Sequence, residues 1–186
     1  MSKRVCPWWL GYLLASPIRR LVDDPSKVLA PYVGEGMTVL EPGPGMGFFT
    51  LELARRVGPS GRVVAVDVQP RMIERLKRRA TRAGLGERVD ARLAAPDSLR
   101  VADLAGVVDL VLAFAVVHEL PALNSFFAEV ATALRPGGTL LLAEPTGHVS
   151  GPEFETELES AAQAGLSVAD RPSLRRSRVA LLKKTG

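Results

Sequence analysis

From Asp24 onward the sequence alternates short apolar runs with amphipathic stretches, and this alternation narrows the possible architectures more than any other feature. The apolar runs 38–41, 62–66, 89–93, 109–114, 139–144, 166–170 and 178–183 read as strands, and helices are expected over 48–57, 70–83, 122–134 and 153–164. Strand, helix, strand in succession favours a parallel sheet with helices on both faces. The expected fold class is therefore α/β, a doubly wound sheet of seven strands. No repeat or long linker breaks the pattern, so residues 25–186 are expected to form one domain.

The stretch 70–83 shows the amphipathic logic. Met72, Ile73, Leu76, Ala80 and Ala83 fall on one face, while Arg71, Arg75, Arg78, Arg79 and Arg82 spread over the rest and read as a solvated outer surface. Across the chain, 24 basic and 20 acidic side chains leave a net charge of +4, and the arginines that supply most of the basic groups are scattered from Arg4 to Arg178. Nucleic acid is not an expected partner. Its binding calls for basic groups gathered on one face beside stacking aromatics, and aromatics make up 5% of this chain.

Residues 1–24 stand apart. Lys3 and Arg4 precede the uncharged stretch 5–18, which imitates a secretory leader. Pro7 and Pro17 interrupt it, no small-residue cleavage pattern follows, and fourteen residues are too few to span a bilayer. Trp8, Trp9, Leu10, Tyr12, Leu13 and Leu14 are expected in a short apolar helix, serving either as a lid over a site or as part of the core. A membrane partner is not expected, and a lone Cys6 excludes an internal disulfide framework; both fit a cytoplasmic protein.

In a sheet wound both ways from its first strand, ligands bind beyond the carboxyl ends of the strands. Here the first strand runs into Glu41-Pro42-Gly43-Pro44-Gly45-Met46-Gly47, with Phe48 and Phe49 at the expected start of a helix. Glycines let the backbone turn sharply and approach a ligand, and a helix N-terminus offers unpaired N–H groups. Asp67 ends the second strand twenty residues after Gly47, placed to accept hydrogen bonds from ribose hydroxyls. The spacing argues against phosphate. A dinucleotide fingerprint needs glycine where Phe48 stands, and a P-loop needs Gly-Lys-Ser/Thr. Glu41 would repel a pyrophosphate and suits a ligand carrying an ammonium group.

The segments VLEPGPGMGFFTLELA, VVAVDVQPRMIERLKRRA, VDLVLAFAVVHEL and EVATALRPGGTLLLAEP resemble the successive motifs of class I S-adenosylmethionine-dependent methyltransferases, most of all the small bacterial "type 11" group, over about Pro31 to Lys183. The resemblance implies strand order 3-2-1-4-5-7-6 with the last strand antiparallel. It implies S-adenosyl-L-methionine as cofactor, converted to S-adenosyl-L-homocysteine. By the same resemblance Gly43, Gly45, Met46 and Gly47 line its methionine and ribose portion, Glu41 meets its amino group directly or through water, and Asp67 holds both ribose hydroxyls. Val68 and Gln69 edge the adenine, Asp97 and Ser98 meet its amino edge, and Phe114 and Ala115 floor the site. Ala95-Pro96 stands where many relatives carry Asp-Ala, so Asp97 and Ser98 read equally well as a turn or helix cap.

Methyl transfer is an in-line displacement at a sulfonium carbon, which requires alignment of the nucleophile and exclusion of water. Hydroxyl acceptors also want a base. The two histidines, His118 and His148, follow strands four and five, and adjacent strands would bring them together with Glu119 and Glu144 at the same edge. These four are the candidate catalytic residues. The other readings are that His118 only walls the pocket and that His148 is a solvated loop residue. No metal is expected, because the spacing carries no metal motif. One cysteine cannot hold arsenic, and Ala113-Phe114-Ala115-Val116 stands where adenine methyltransferases of nucleic acid carry Asn/Asp-Pro-Pro-aromatic. The expected function is methyl transfer to a small, partly apolar acceptor at O, N, S or C by a monomer or homodimer; the alternative is a non-catalytic nucleoside-binding subunit or sensor.

Overall fold

Strands form where the apolar runs lie: β1 (Thr38–Pro42), β2 (Arg62–Asp67), β3 (Val89–Leu93), β4 (Val108–Phe114), β5 (Leu134–Pro145), β6 (Leu166–Asp170) and β7 (Ser177–Lys184). Their order in the sheet is β3-β2-β1-β4-β5-β7-β6. β2 pairs in parallel with β1 and β3, β4 pairs in parallel with β5, and β7 runs antiparallel to both β5 and β6. The doubly wound α/β class and the implied order both hold. The computed structural model describes residues 24–185, which form two compact units, 24–94 and 95–185. The short apolar helix expected over Trp8 to Leu14, as lid or core, lies outside the described residues.

In the first unit, β1 to β3 carry α1 (Pro25–Leu29), α2 (Thr50–Arg56) and α3 (Pro70–Arg82). At five residues α1 is too short to show a period; its local signal is Asp24, whose side chain accepts the Ser26 N–H at 3.0 Å, ahead of Pro25 at the first helical position. α2 begins at Thr50 and not at Phe48, because the chain turns through Gly45 and Gly47 with φ of +54° and +81°, a conformation no α-helix can continue. α3 buries Met72, Ile73, Leu76 and Ala80. Ile73 and Leu76 form a cluster with Ala65 of β2 and Ala91 of β3. Two assignments on this helix change. Ala83 is exposed beyond its last turn, and Arg79, read as solvated, donates to the Met46 carbonyl of the glycine loop.

In the second unit, β4 and β5 bury Leu110 to Ala113 and Leu140 to Ala143 almost completely, as continuous apolar runs do when a parallel sheet is covered on both faces. The segment Arg135 to Gly138 is an irregularity inside β5: pairing passes from Val108 opposite Leu134 directly to Leu110 opposite Thr139. A side chain at Gly138 would lie 2.9 Å from the Val108 carbonyl, so the two backbones close there. α4 (Leu123–Ala133) and α5 (Gly151–Gln163) complete the unit. Ser150 and Glu153 form a reciprocal capping box that starts α5. Among the described residues no helix is long and apolar enough to cross a membrane.

Candidate active site

In the first unit Glu41, near the end of β1, is 4% exposed, and its Oε2 has no hydrogen-bond partner. Thr50 Oγ1, at the start of α2, is buried without one as well. Burial pushes the Glu41 pKa up to about 8; the nearby Thr50 hydroxyl works against that shift, and the Asp67 charge adds to it. The loop is fastened by Gly43 N–H, which donates to the Val66 carbonyl at 2.9 Å. A methyl group on Gly45 would meet nothing within 4 Å, whereas one on Gly47 would strike Leu76 Cδ1 at 2.5 Å. Met46 packs its side chain inward. Asp67 ends β2 nearly buried, with Oδ1 accepting the Gln69 N–H at 2.8 Å, and Val68 between them is exposed.

The second unit holds the histidines. Glu144 is wholly buried at the end of β5. Its Oε1 accepts the amides of Val116 and Val117, at 3.2 and 2.7 Å, and its Oε2 accepts from His118 Nδ1. A carboxylate is an acceptor, so the His118 hydrogen is held at Nδ1 and the Nε2 lone pair is left to exchange protons. The His148 ring meets that of His118 edge-on, with centroids 5.5 Å apart, while His148 itself is exposed. The His118 pKa is raised, first by the hydrogen bond to Glu144, against the opposing effect of burial, and further by the charges of Glu144, Glu119 and Glu157.

Glu157 is absent from the sequence-derived candidates. It is 4% exposed on α5. Its signal was an acid within the apolar spacing Phe154, Leu158, Ala161. Asp97 is exposed, and Ser98 is engaged locally: its hydroxyl donates to Glu129 at 3.1 Å and accepts the Arg100 N–H at 3.1 Å. Phe114 and Ala115 are half-buried, and Ala115 takes φ of +55° with its N–H on the Ala143 carbonyl at 2.7 Å. A left-handed alanine after a strand is backbone strain of the kind that clusters at functional sites.

A family model described as a methyltransferase domain matches residues 34–171. The arsenite methyltransferase of Halobacterium salinarum is 35% identical over 109 residues, covering 59% of this chain and 27% of that protein. The nocamycin O-methyltransferase of Saccharothrix syringae is 36% identical over 129 residues, covering 68% of this chain and 42% of that protein. In both cases the match spans less than half of the relative's length. A crystal structure of an S-adenosylmethionine-dependent methyltransferase from Aquifex aeolicus superposes with a TM-score of 0.85 at 25% identity, over 97% of this chain and all of the other. The chain belongs to the methyltransferase domain family, in its class I form. Its cofactor is S-adenosyl-L-methionine.

Proposed function

We propose that the protein methylates a hydroxyl oxygen of a small, partly apolar acceptor by in-line displacement, with His118 as the proton acceptor. The observation that carries this reading is the His118–Glu144 pair, in which a buried carboxylate anchored by two backbone amides fixes the imidazole with its basic nitrogen turned away. Amines and thiolates can attack once deprotonated beforehand, whereas a hydroxyl usually needs a positioned proton acceptor. The O-methyltransferase from Saccharothrix syringae among the relatives agrees with that choice.

The residues of the first unit fit the cofactor, because a buried carboxyl oxygen without a partner and a glycine loop with room at Gly45 suit a cationic ligand approaching the backbone. Glu41 would receive its ammonium group, Gly43, Gly45 and Gly47 would pass close to it, and Asp67, oriented by the Gln69 amide, would hold the ribose hydroxyls. Val68 and Gln69 would flank the adenine. With Ser98 taken up by Glu129, a turn describes Asp97 and Ser98 better than an adenine contact. Phe114 and Ala115 would form the floor. When bound, the cofactor supplies a methyl group activated by its sulfonium.

The acceptor's hydroxyl proton passes to His118 Nε2 while Nδ1–H stays on Glu144, whose charge stabilises the imidazolium. Glu119 and Glu157 act on His118 in the same sense. His148 limits the ring's rotation from its edge. The test is a panel of small phenols, alcohols, amines, thiols and carbon acids offered with methyl-labelled S-adenosylmethionine. Label is expected on oxygen, with equimolar S-adenosylhomocysteine and inversion of a chiral methyl group. Transfer confined to amines or thiols, at a rate indifferent to His118→Gln, would overturn the reading.

A further inference from the structure

We propose that Glu41 and Thr50 form a proton-coupled receptor for the ammonium end of the cofactor, in which Glu41 holds a proton before binding and releases it to solvent when the cation arrives. This deepens the cofactor assignment and rests on it. Glu41 and Thr50 precede and follow the glycine loop in the chain, at 4% and 0% exposure; Thr50 lies close enough to act on the Glu41 carboxyl, and Glu41 Oε2 and Thr50 Oγ1 are both buried without a hydrogen bond. Thr50 underlies the loop, for a methyl group on Gly47 would lie 3.5 Å from its hydroxyl. The pair is thus a buried polar patch beneath the backbone that the resemblance assigns to the ligand.

Burying an ionised carboxylate without a cation is strongly unfavourable, and no basic side chain among the described residues forms an ion pair with Glu41. The titratable group acting on it is Asp67 of β2, whose negative charge reinforces the neutral form. Both effects leave the carboxyl protonated at neutral pH, with its pKa near 8. An ammonium group reverses them, because an opposite charge within reach favours the ionised form. The chemical balance is simple: the carboxyl O–H bond breaks, the proton goes to buffer, and an ion pair takes its place. With a pKa of about 8, about nine-tenths of the free protein carries this proton at pH 7 and about one-tenth at pH 9.

The experiment is calorimetric titration of the whole chain with S-adenosylhomocysteine in buffers of differing ionisation enthalpy, from pH 6 to 9. Release approaching one proton per site is expected at pH 7, shrinking towards zero by pH 9, with the dissociation constant falling about tenfold per pH unit between pH 6 and 7. 5′-Methylthioadenosine keeps the nucleoside but lacks the amino acid, so it should bind without release. Glu41→Gln should bind S-adenosylhomocysteine more weakly, with no release and no such pH dependence. Binding without proton release at pH 7, or equal release with methylthioadenosine or with E41Q, overturns the proposal while leaving the cofactor in place. If E41Q fails to fold, the methylthioadenosine comparison decides alone. No binding of S-adenosylhomocysteine to the folded protein would reject the cofactor assignment, and the proposal with it.

Discussion

Glu144 is the register partner of Arg178 across the antiparallel β5–β7 ladder, yet the two side chains take different partners. Glu144 closes on His118 and on the amides of Val116 and Val117, while Arg178 donates through Nε to the Val149 carbonyl at 3.1 Å. The carboxylate is therefore left to the histidine.

Glu144→Gln follows directly from that arrangement. The base form of His118 exists only above its pKa, and because that pKa is raised, the rising limb of the wild-type rate lies above the ordinary histidine value of about 6.5. The substituted amide accepts a weaker hydrogen bond than the carboxylate and carries no charge. The limb should move to lower pH while the maximal rate drops, since the Nδ1–H tautomer is held less firmly. A pH profile of kcat/KM for both proteins checks this.

His118→Gln keeps the side chain's bulk and removes the basic nitrogen. Turnover of a hydroxyl acceptor should fall by about 10²- to 10⁴-fold, the usual worth of a positioned base. The affinity for S-adenosylhomocysteine, measured by calorimetry, should stay within about twofold, since the first unit supplies the proposed contacts to the cofactor's charged and ribose ends.

Asp67→Ala should act on the other quantity. Losing the proposed charge-assisted hydrogen bonds to ribose, worth about 1.5 to 3 kcal/mol, should weaken S-adenosylhomocysteine binding roughly tenfold or more. The comparison is a thermal-shift titration of the variant against the parent.

Gly45→Ala and Gly47→Ala separate backbone conformation from packing. Both residues have positive φ, so each substitution costs about 1 kcal/mol from strain. Only Gly47→Ala also drives a methyl group into Leu76, adding about 1 to 3 kcal/mol of overpacking. Urea denaturation should rank Gly47→Ala well below Gly45→Ala.

The free protein's stability should fall with rising pH. Folded Glu41 keeps a proton that the unfolded chain loses near pH 4.5, so its contribution is complete below 4.5 and is lost progressively up to about pH 8, at up to about 1.4 kcal/mol per unit. His118, also raised, contributes in the same direction, from its ordinary value up through its raised one. Glu41→Gln should flatten the acidic part of the curve, measured by denaturant midpoints at constant ionic strength.

The strands were legible because a parallel sheet covered on both faces writes itself as unbroken Val, Leu and Ala runs, as in Val63 to Val66 and Leu140 to Ala143. The pairing of His118 with Glu144 was legible at the level of the strand edge, since His118 follows β4 and Glu144 lies near the end of β5, its parallel neighbour. What escaped depends on single side chains reaching across loops. Arg79 looks like every other arginine on α3 until its guanidinium finds the Met46 carbonyl. The hydrogen bond of Ser98 to Glu129, thirty-one residues away, is visible only in the fold. Glu157 was hidden because helical periodicity marks an inward position without saying what an acid there faces.

The loop that carries His148 takes its shape from the far side of the β6–β7 hairpin. Thr146 donates through both its amide and its hydroxyl to the Arg176 carbonyl, at 2.9 and 3.2 Å, and Arg178 holds Val149. On the ribosome, a chain that has emerged only through β6 already possesses Glu144, both histidines and the entire glycine cradle. It still lacks the acceptor for Thr146 and the donor for Val149. An abortive product ending before residues 176–178 would therefore carry every nominated catalytic side chain and the local turn at Pro145, but none of the Arg176 and Arg178 contacts that brace the His148 loop.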